Sequence, residues 1–278
     1  MNDQTTAHRE ELLAVFDREM REQARPDGPG VRVERTADVV RLVGTDHDWN
    51  GVVWSSPDLD AARADAAIAA QVAHCTALGH GEFEWKLYAH DRPADLGARL
   101  RAAGFVAGEP ETLLVAPVAD QPRTVRLPEG VRLRGVRDEA DVELMARAHE
   151  QAFGSDSSRL RHQVLARLRD DPDHFVGVVA MAGDEPVSSA RMELYRGTGF
   201  AGLWGGGTVG AWRGRGVYRA LVAFRAQIAA ERGYRYLQVD ATEDSRPILQ
   251  RLGFTALGTT TPYVYRPASR PPRPGHRA

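Results

Sequence analysis

A short pattern occurs twice in this chain at a constant spacing. The pattern D-x3-D-x4-L-x3-G-F begins at Asp91 and recurs 149 positions later, beginning at Asp240. At both places a run typical of a β-strand precedes the pattern, a glycine-ended helix precedes that strand, and another strand follows Gly-Phe. The shared order of elements favours a duplicated unit of mixed α and β structure. The alternative is two ordinary strand–helix–strand segments with a common helix stop.

Apolar and β-branched runs predict the elements of both copies. For the first copy we expect a helix that ends before residue 26, strands at 31–35, 39–43 and 51–55, a helix at 59–78, a strand at 83–89, a helix at 94–103 and a strand at 112–115. For the second we expect a strand at 131–136, helices at 139–153 and 159–168, strands at 175–180 and 187–195, a strand ending near 209, a helix at 216–232, a strand at 236–239, a short helix ending at 252 and a final hairpin through 263–265.

Proline-rich segments mark the borders of the two copies. Residues 116–130 contain three prolines and almost no large apolar side chain, which is typical of a linker. The C-terminal residues contain four further prolines, and we expect residues 267–278 to be disordered.

Composition excludes several classes of function. The chain has 278 residues and a formal net charge of -2, so no bulk charge attracts it to nucleic acid or to an anionic membrane. A single cysteine, Cys75, excludes an internal disulfide and a cysteine-rich metal site, and the histidines lack metal-ligand spacing. We therefore expect no metal site. No apolar run approaches about 18 residues, so we expect a cytoplasmic protein. Lys86 is the only lysine, which we attribute to codon bias.

A glycine-rich run from Gly205 to Val222 points to chemistry. A predicted strand leads into Arg213-Gly-Arg-Gly216, and a helix begins directly after it. Glycines at alternate positions let backbone N–H groups converge, and the helix N-terminus adds partial positive charge, so this turn suits a pyrophosphate. Its glycine spacing matches neither the Rossmann fingerprint nor a Walker loop. The alternative is an ordinary turn that needs glycine for its positive φ.

The segment from Arg213 to Tyr218 resembles the R/Q-x-x-G-x-G/A acyl-CoA loop of the GNAT N-acetyltransferase superfamily. The resemblance extends over residues 131–266, including Leu252-Gly-Phe254, where that family often has L-G-F. Residues 1–118 resemble a degenerate copy that lacks the loop. The resemblance implies an α/β fold with a mixed sheet, built as two tandem GNAT-like domains of the actinobacterial type, joined by a linker at 119–130.

The resemblance also implies acetyl-CoA as co-substrate. The backbone of Thr208 and Val209 would pair with the pantetheine arm, and the amides of the loop would hold the pyrophosphate with Arg213 and Arg215 nearby. The implied cofactor-binding residues are Thr208, Val209, Arg213, Gly214, Arg215, Gly216, Val217, Tyr218 and Thr242.

Three positions depart from the family pattern. Tyr218 replaces the usual glycine or alanine and could crowd the phosphate or stack on it. The family's tyrosine general acid falls on Leu249, and its asparagine falls on Thr242. Leucine cannot protonate a thiolate, so catalysis would rely on positioning, on water or on another hydroxyl. Tyr263 and Tyr265 are candidates for that hydroxyl, with half-buried strand aromatics as the alternative reading.

A carboxylate at the end of a strand is expected to act as the general base. Asp240 is the first candidate and Glu193 the second, although Asp240 could instead cap the following helix and Glu193 could lie on a solvated face.

The expected function is therefore acetyl transfer from acetyl-CoA to a primary amine of a small molecule, by direct attack in a ternary complex. The degenerate half would shape the acceptor cleft. The alternatives are a transferase with another donor, such as another acyl-CoA or an aminoacyl-tRNA, and a non-catalytic acyl-CoA sensor. The near-neutral charge argues against a nucleic-acid partner, and the sequence contains no indication of oligomeric state.

Overall fold

A computed structural model describes residues 2–122 and 124–267 of the chain. All but the first residue of the predicted disordered tail therefore lies outside the described residues. None of the helices in the described part of the chain combines the length and apolarity that a membrane span requires.

The first half alternates helices with short strands, largely as predicted. Its elements are α1 (Asn2–Phe16), a π-helical stretch (Asp17–Glu22), β1 (Arg32–Arg35), β2 (Val39–Val43), β3 (Gly51–Ser55), α2 (Ala61–Leu78), β4 (Phe83–Tyr88), α3 (Leu96–Ala102), β5 (Val106–Ala107) and β6 (Glu111–Pro117). Local signals set the limits of α2, because the Asp60 side chain caps its first turn and the chain turns left-handed at Gly79.

The second half begins after the proline-rich segment. Its elements are β7 (Val131–Gly135), α4 (Glu139–Phe153), α5 (Ser158–Asp170), β8 (Phe175–Ala182), β9 (Glu185–Leu194), β10 (Phe200–Thr208), α6 (Val217–Glu231), β11 (Tyr236–Ala241), α7 (Arg246–Arg251) and β12 (Thr255–Tyr265). Asp138 caps α4 and Gly154 ends it, in the same way as for α2.

All strands join one mixed sheet in which the two halves exchange their last long strands. The order is β1-β2-β3-β4-β12-β6-β11-β10-β9-β8-β7, with β5 paired to β12. Strand β12 pairs with β4, where Tyr263 faces Trp85, and β6 pairs with β11, where Leu113 faces Asp240. Each half therefore completes its sheet with a strand from the other half.

The predicted hairpin through Tyr263 to Tyr265 is wrong. The segment is a single strand of 11 residues, and its neighbours are β4 and β6. Both neighbours come from the first half of the chain, so no local turn was available to reveal the pairing.

Side-chain burial follows the strand exchange. Leu114 of β6 is fully buried in the core that α6 covers, together with Leu237 of β11. Conversely, Tyr263 of β12 packs in the core of the first half, with Trp85 and Leu100. Because buried apolar area is the main favourable term in folding, each half depends on the other for part of its stability.

The repeated pattern occupies matching places in its helix and glycine but not in its first aspartate. Leu100 of α3 and Leu249 of α7 are both fully buried, and each helix is followed by a left-handed glycine, Gly104 and Gly253. Asp240, however, lies within β11, whereas its counterpart in the first copy follows the end of β4.

Candidate active site

Two neighbouring strands of the second half diverge and open a gap in the sheet. Strands β10 and β11 pair in parallel only from Phe200 to Gly202. Beyond that point β10 contains a bulge between Trp204 and Gly207, with Gly205 left-handed at φ 57°. The bulge turns β10 away from β11, so the two strand ends separate where the chain enters the glycine-rich turn.

The turn before α6 presents an open set of backbone donors. Gly214 and Gly216 have φ of 75° and 88°, which only glycine adopts without strain. Within the described residues, the N–H groups from Gly214 to Arg219 have no hydrogen-bond acceptor, and no side chain caps the helix. A Cβ built on Gly214 or Gly216 would meet nothing within 4 Å, so the space in front of these donors is open. The turn therefore fits an anion.

Arg213 holds this turn in place. Its Nε donates to the Thr208 carbonyl at 3.0 Å, and a second nitrogen donates to the Ala152 carbonyl at the end of α4 at 3.2 Å. The Arg215 guanidinium instead lies 4.9 Å from the ring centroid of Trp212. Arg213 thus contributes to an anion site chiefly by fixing the turn against β10 and α4.

The two residues expected to pair with pantetheine differ in which of their backbone groups are free to form hydrogen bonds. The Val209 N–H donates to Val187 at 3.0 Å, and its carbonyl accepts from Trp212 at 2.8 Å. Because successive residues of a strand direct their backbone groups to opposite edges, the Thr208 N–H points to the open gap. Pairing with an extended ligand there falls to Thr208.

The Tyr218 side chain is directed away from the open turn. A Cβ on Gly206 would lie 2.8 Å from Tyr218 Cε2, so the ring packs against the β10 backbone and requires glycine at 206. Burial raises the pKa of the Tyr218 phenol. The Tyr218 ring therefore contacts β10, and its role at a phosphate stays a prediction.

A cavity of about 700 Å³ lies between the two halves and reaches the gap. Trp204 on β10 and Gln238, Asp240 and Thr242 on or just after β11 line it on the gap side. The π-helical stretch and β4 of the first half and α5 and β9 of the second line much of the rest, together with Glu111 of β6. Its volume is that of a small-molecule site, which spans roughly 300–1,000 Å³.

An ion pair between the two halves lies at the wall of this cavity. Lys86 Nζ on β4 donates to Asp240 Oδ2 on β11, and the side chains are 17% and 2% exposed. Burial alone lowers the pKa of Lys86, but the charges of Asp240, Tyr88 and Glu84 and the hydrogen bond to Asp240 together outweigh burial, so the pKa is raised overall. Asp240 Oδ1 is also buried and has no hydrogen-bond partner among the described residues.

Further carboxyl groups surround this ion pair. Glu84 on β4 accepts a hydrogen bond from Trp49 Nε1 at 2.8 Å, and burial raises its pKa. Burial raises the pKa of Glu111, at the start of β6, to about 7, although the charge of Lys86 opposes the shift. Asp27 on the opposite wall also has a pKa of about 7, again because of burial.

The other predicted catalytic groups occupy different positions. Glu193 on β9 lines the cavity with an oxygen 3.9 Å from Arg191 Nε. Leu249 is fully buried in the core beneath α6. Tyr263 and Tyr265 pack in the first half's core, with Tyr265 5.3 Å from Phe105 between ring centroids, so the structure does not bring them to the cavity.

Sequence reasoning missed Lys86, Glu84 and Glu111. No local motif surrounds them, because the strand exchange brings them to β11 from more than a hundred residues away. One signal was present, namely a single lysine in a chain that otherwise uses arginine. An ammonium on a flexible stem can reach across two strands to a buried carboxylate, as Lys86 does to Asp240.

Comparisons with known proteins agree with this geometry. Residues 142–254 match the sequence model of the acetyltransferase (GNAT) family. A GCN5-related N-acetyltransferase from Kribbella flavida is 20% identical and has a TM-score of 0.67, covering 86% of this chain and 91% of its own. A GCN5-related N-acetyltransferase from Sphaerobacter thermophilus is 17% identical with a TM-score of 0.58, covering 84% and 82%.

A tandem GNAT protein from the clavulanic acid biosynthesis pathway covers 97% of both chains at 11% identity, with a TM-score of 0.57. No curated protein sequence matches the chain. The second half of this chain carries a domain of the GNAT acetyltransferase family, and the chain as a whole has the tandem GNAT fold. Both the resemblance and the mixed α/β fold expected from the sequence are confirmed.

Proposed function

We propose that this chain is an N-acetyltransferase that transfers an acetyl group from acetyl-CoA to a primary amine of a small molecule. One observation carries the proposal: β10 and β11 diverge beyond Gly202, the open turn follows β10, and the cavity is lined by Trp204 of β10 and Asp240 of β11. A donor held at the turn and an acceptor held in the cavity would therefore approach each other at the diverging strands.

Donor binding is proposed because the amides of the turn are unpaired. Helix N-termini attract phosphate through these N–H groups and through the helix dipole. The residues that would hold acetyl-CoA are the amides from Gly214 to Tyr218, supported by Arg213, with Thr208 available to the pantetheine arm. Acetyl-CoA supplies the activated acetyl group, and the chain supplies its orientation.

Acceptor binding is proposed because of the residues that line the cavity. Glu84, Glu111 and Asp240 make this end of the cavity rich in carboxyl groups, which favours a ligand that enters as an ammonium ion. The first half contributes much of the wall, so residues 1–118 would act as the acceptor-binding half and residues 131–266 as the donor-binding half, joined at 119–130.

A non-catalytic acyl-CoA sensor is the second candidate, because the position of the family's general acid is the core residue Leu249. Holding thioester and amine together can lower the barrier by several kcal/mol without an acid, by about 7–11 kcal/mol in well-oriented cases. The presence of a cavity at the gap favours the enzyme.

Release of free thiol from acetyl-CoA, measured with and without amines, separates the two functions. We expect amine-dependent release with at least one member of a panel containing 1,4-diaminobutane, tyramine, glucosamine and lysine. We also expect Arg213→Ala to weaken acetyl-CoA binding about tenfold, since it frees the turn from Thr208 and Ala152. Acetyl-CoA binding without release in any amine would favour the sensor, and unchanged binding in Arg213→Ala would contradict the assignment of the turn.

A further inference from the structure

We propose that Glu111, which the strand exchange brings from the first half of the chain, accepts the proton of the acceptor amine. The inference rests on the proposed N-acetyltransferase function. It assigns the general base to the half that lacks the donor turn.

The position of Glu111 follows from the strand pairing. Leu113 of β6 faces Asp240 of β11, and side chains two residues apart in a strand lie on the same face. Glu111 therefore lies on the same face of the sheet as Asp240. Its strand, β6, is next to β11, and the gap is on the other side of β11. It also lines the cavity, so its carboxyl group is within the space proposed for the acceptor.

Glu111 is available to a ligand, and Asp240 is not. Among the described residues the Glu111 side chain makes no hydrogen bond or ion pair, whereas Asp240 is held by Lys86 and its second oxygen is sealed from solvent. A base must come within about 3 Å of the nitrogen that it deprotonates. Asp240 would have to leave Lys86 to do so, which would leave a buried charge without its partner.

Glu193 is less suited because of its neighbour. It lies on β9, on the far side of β10 from β11, and Arg191 is 3.9 Å away. Its carboxylate therefore already faces a cation.

The surroundings of Glu111 give its carboxyl group a pKa that suits a general base. The charged groups that act on it are Lys86, Asp240 and Glu84. Burial and the two carboxylates raise its pKa, Lys86 lowers it, and the result is a pKa of about 7. A general base works best when its pKa lies near the working pH.

The step balances as follows. The acceptor enters as R–NH3⁺, and the Glu111 carboxylate takes one proton from it. The nitrogen lone pair forms the bond to the acetyl carbon, and the carbon–sulfur bond breaks. The second proton lost by nitrogen goes to the departing thiolate, which gives CoA as the free thiol, and Glu111 returns its proton to solvent.

The test is the pH dependence of amine-dependent thiol release in the full-length chain, with the most active amine of the panel above. In the wild type we expect kcat/KM to fall below pH 7, because protonated Glu111 cannot accept a proton. Glu111→Gln should lower kcat about 100-fold and remove this acid limb, while acetyl-CoA affinity stays within twofold. Glu111→Asp should retain the limb at reduced kcat, which a purely structural role would not produce.

Glu185→Gln is the matched control, since the Glu185 side chain is 71% exposed and does not line the cavity. It should leave both kcat and the limb unchanged. Full activity of Glu111→Gln, or an acid limb that persists in it, would overturn the role of Glu111 while leaving the acetyltransferase function in place. Absence of thiol release by the wild type with every amine would instead contradict the proposed function, and with it the role of Glu111.

Discussion

The two halves contain the same strand-to-helix unit, but the first turn of its helix differs between them. In each half a strand leads into a long helix, and the next strand pairs with the first in parallel: β3 with β4, and β10 with β11. In the first half the Asp60 carboxylate accepts the N–H of Arg63 at 2.9 Å at the start of α2. In the second half the helix begins at Gly216, with no side chain over its donors.

Under the proposed function, this difference explains why only the second half would hold an anion at its helix. A capping carboxylate stabilises the helix, but it uses a donor and places negative charge where a phosphate would lie. The glycine turn gives up that stabilisation and leaves the donors to a ligand. One capping residue therefore separates a helix start with a paired donor from one whose donors stay open.

The exchange of β6 and β12 makes the two halves interdependent, and separating them should have the largest effect. Leu114 of β6 is fully buried in the core of the second half, and Leu113 and Val115 are fully buried in a cluster that contains residues of both halves. Each buried leucine or valine contributes about 1.5–3 kcal/mol. We expect residues 123–278 alone to be insoluble or unfolded by circular dichroism. Co-expression with residues 1–122 as a separate chain should yield a folded complex on size exclusion. A stable monomer of the second fragment alone would contradict the interdependence.

Removal of the cation that joins the halves should have the next largest effect. Lys86→Met leaves the buried Asp240 carboxylate without its partner, and we expect the free energy of unfolding to fall by about 3–5 kcal/mol in urea titrations. The double variant Lys86→Met, Asp240→Leu should regain most of that loss. Arg132→Met, which removes an exposed pair with Asp184, should change stability by less than about 1 kcal/mol. Equal effects of the two single substitutions would show that burial of the Lys86 pair is unimportant.

A side chain on the binding turn should affect the ligand more than the fold. Gly216→Glu introduces a carboxylate beside the open donors and strain at φ 88°, so we expect acetyl-CoA affinity to fall at least about 100-fold by calorimetry, about 2.7 kcal/mol. Gly183→Glu carries a similar strain at φ 60°, in a turn between β8 and β9, and should leave the affinity unchanged. A comparable loss in both variants would attribute the effect to folding.

Removal of the cap in the first half should have the smallest effect, and on stability alone. Asp60→Ala deletes the bond to Arg63, and we expect a loss of about 1 kcal/mol, seen as a fall of about 2–4 °C in Tm. Acetyl-CoA affinity should stay the same. A change in that affinity would mean that α2 takes part in donor binding.

Sequence patterns predicted the features that depend on neighbours along the chain. The pattern of residues along the chain located α2 and α4, and Arg213 to Gly216 located the open turn. The bulge at Gly205 and the direction of the Tyr218 ring were not predicted, because they depend on how β10 packs against α6.

Features that depend on strand exchange were out of reach of the sequence. Lys86 and Asp240 are 154 residues apart in the sequence. They meet because β12 and β6 join β4 and β11 into one sheet. Glu111 carries no local pattern for the same reason. The linker boundaries at 119–130 stay a prediction, and the split-chain experiment above tests them.

Calorimetric titration of the full-length chain with acetyl-CoA tests most directly whether one half binds the donor and the other does not. We predict one site per chain, lost in Gly216→Glu and retained in Asp60→Ala. A stoichiometry of two, or a single site that persists in Gly216→Glu, would contradict the assignment of donor binding to the turn before α6.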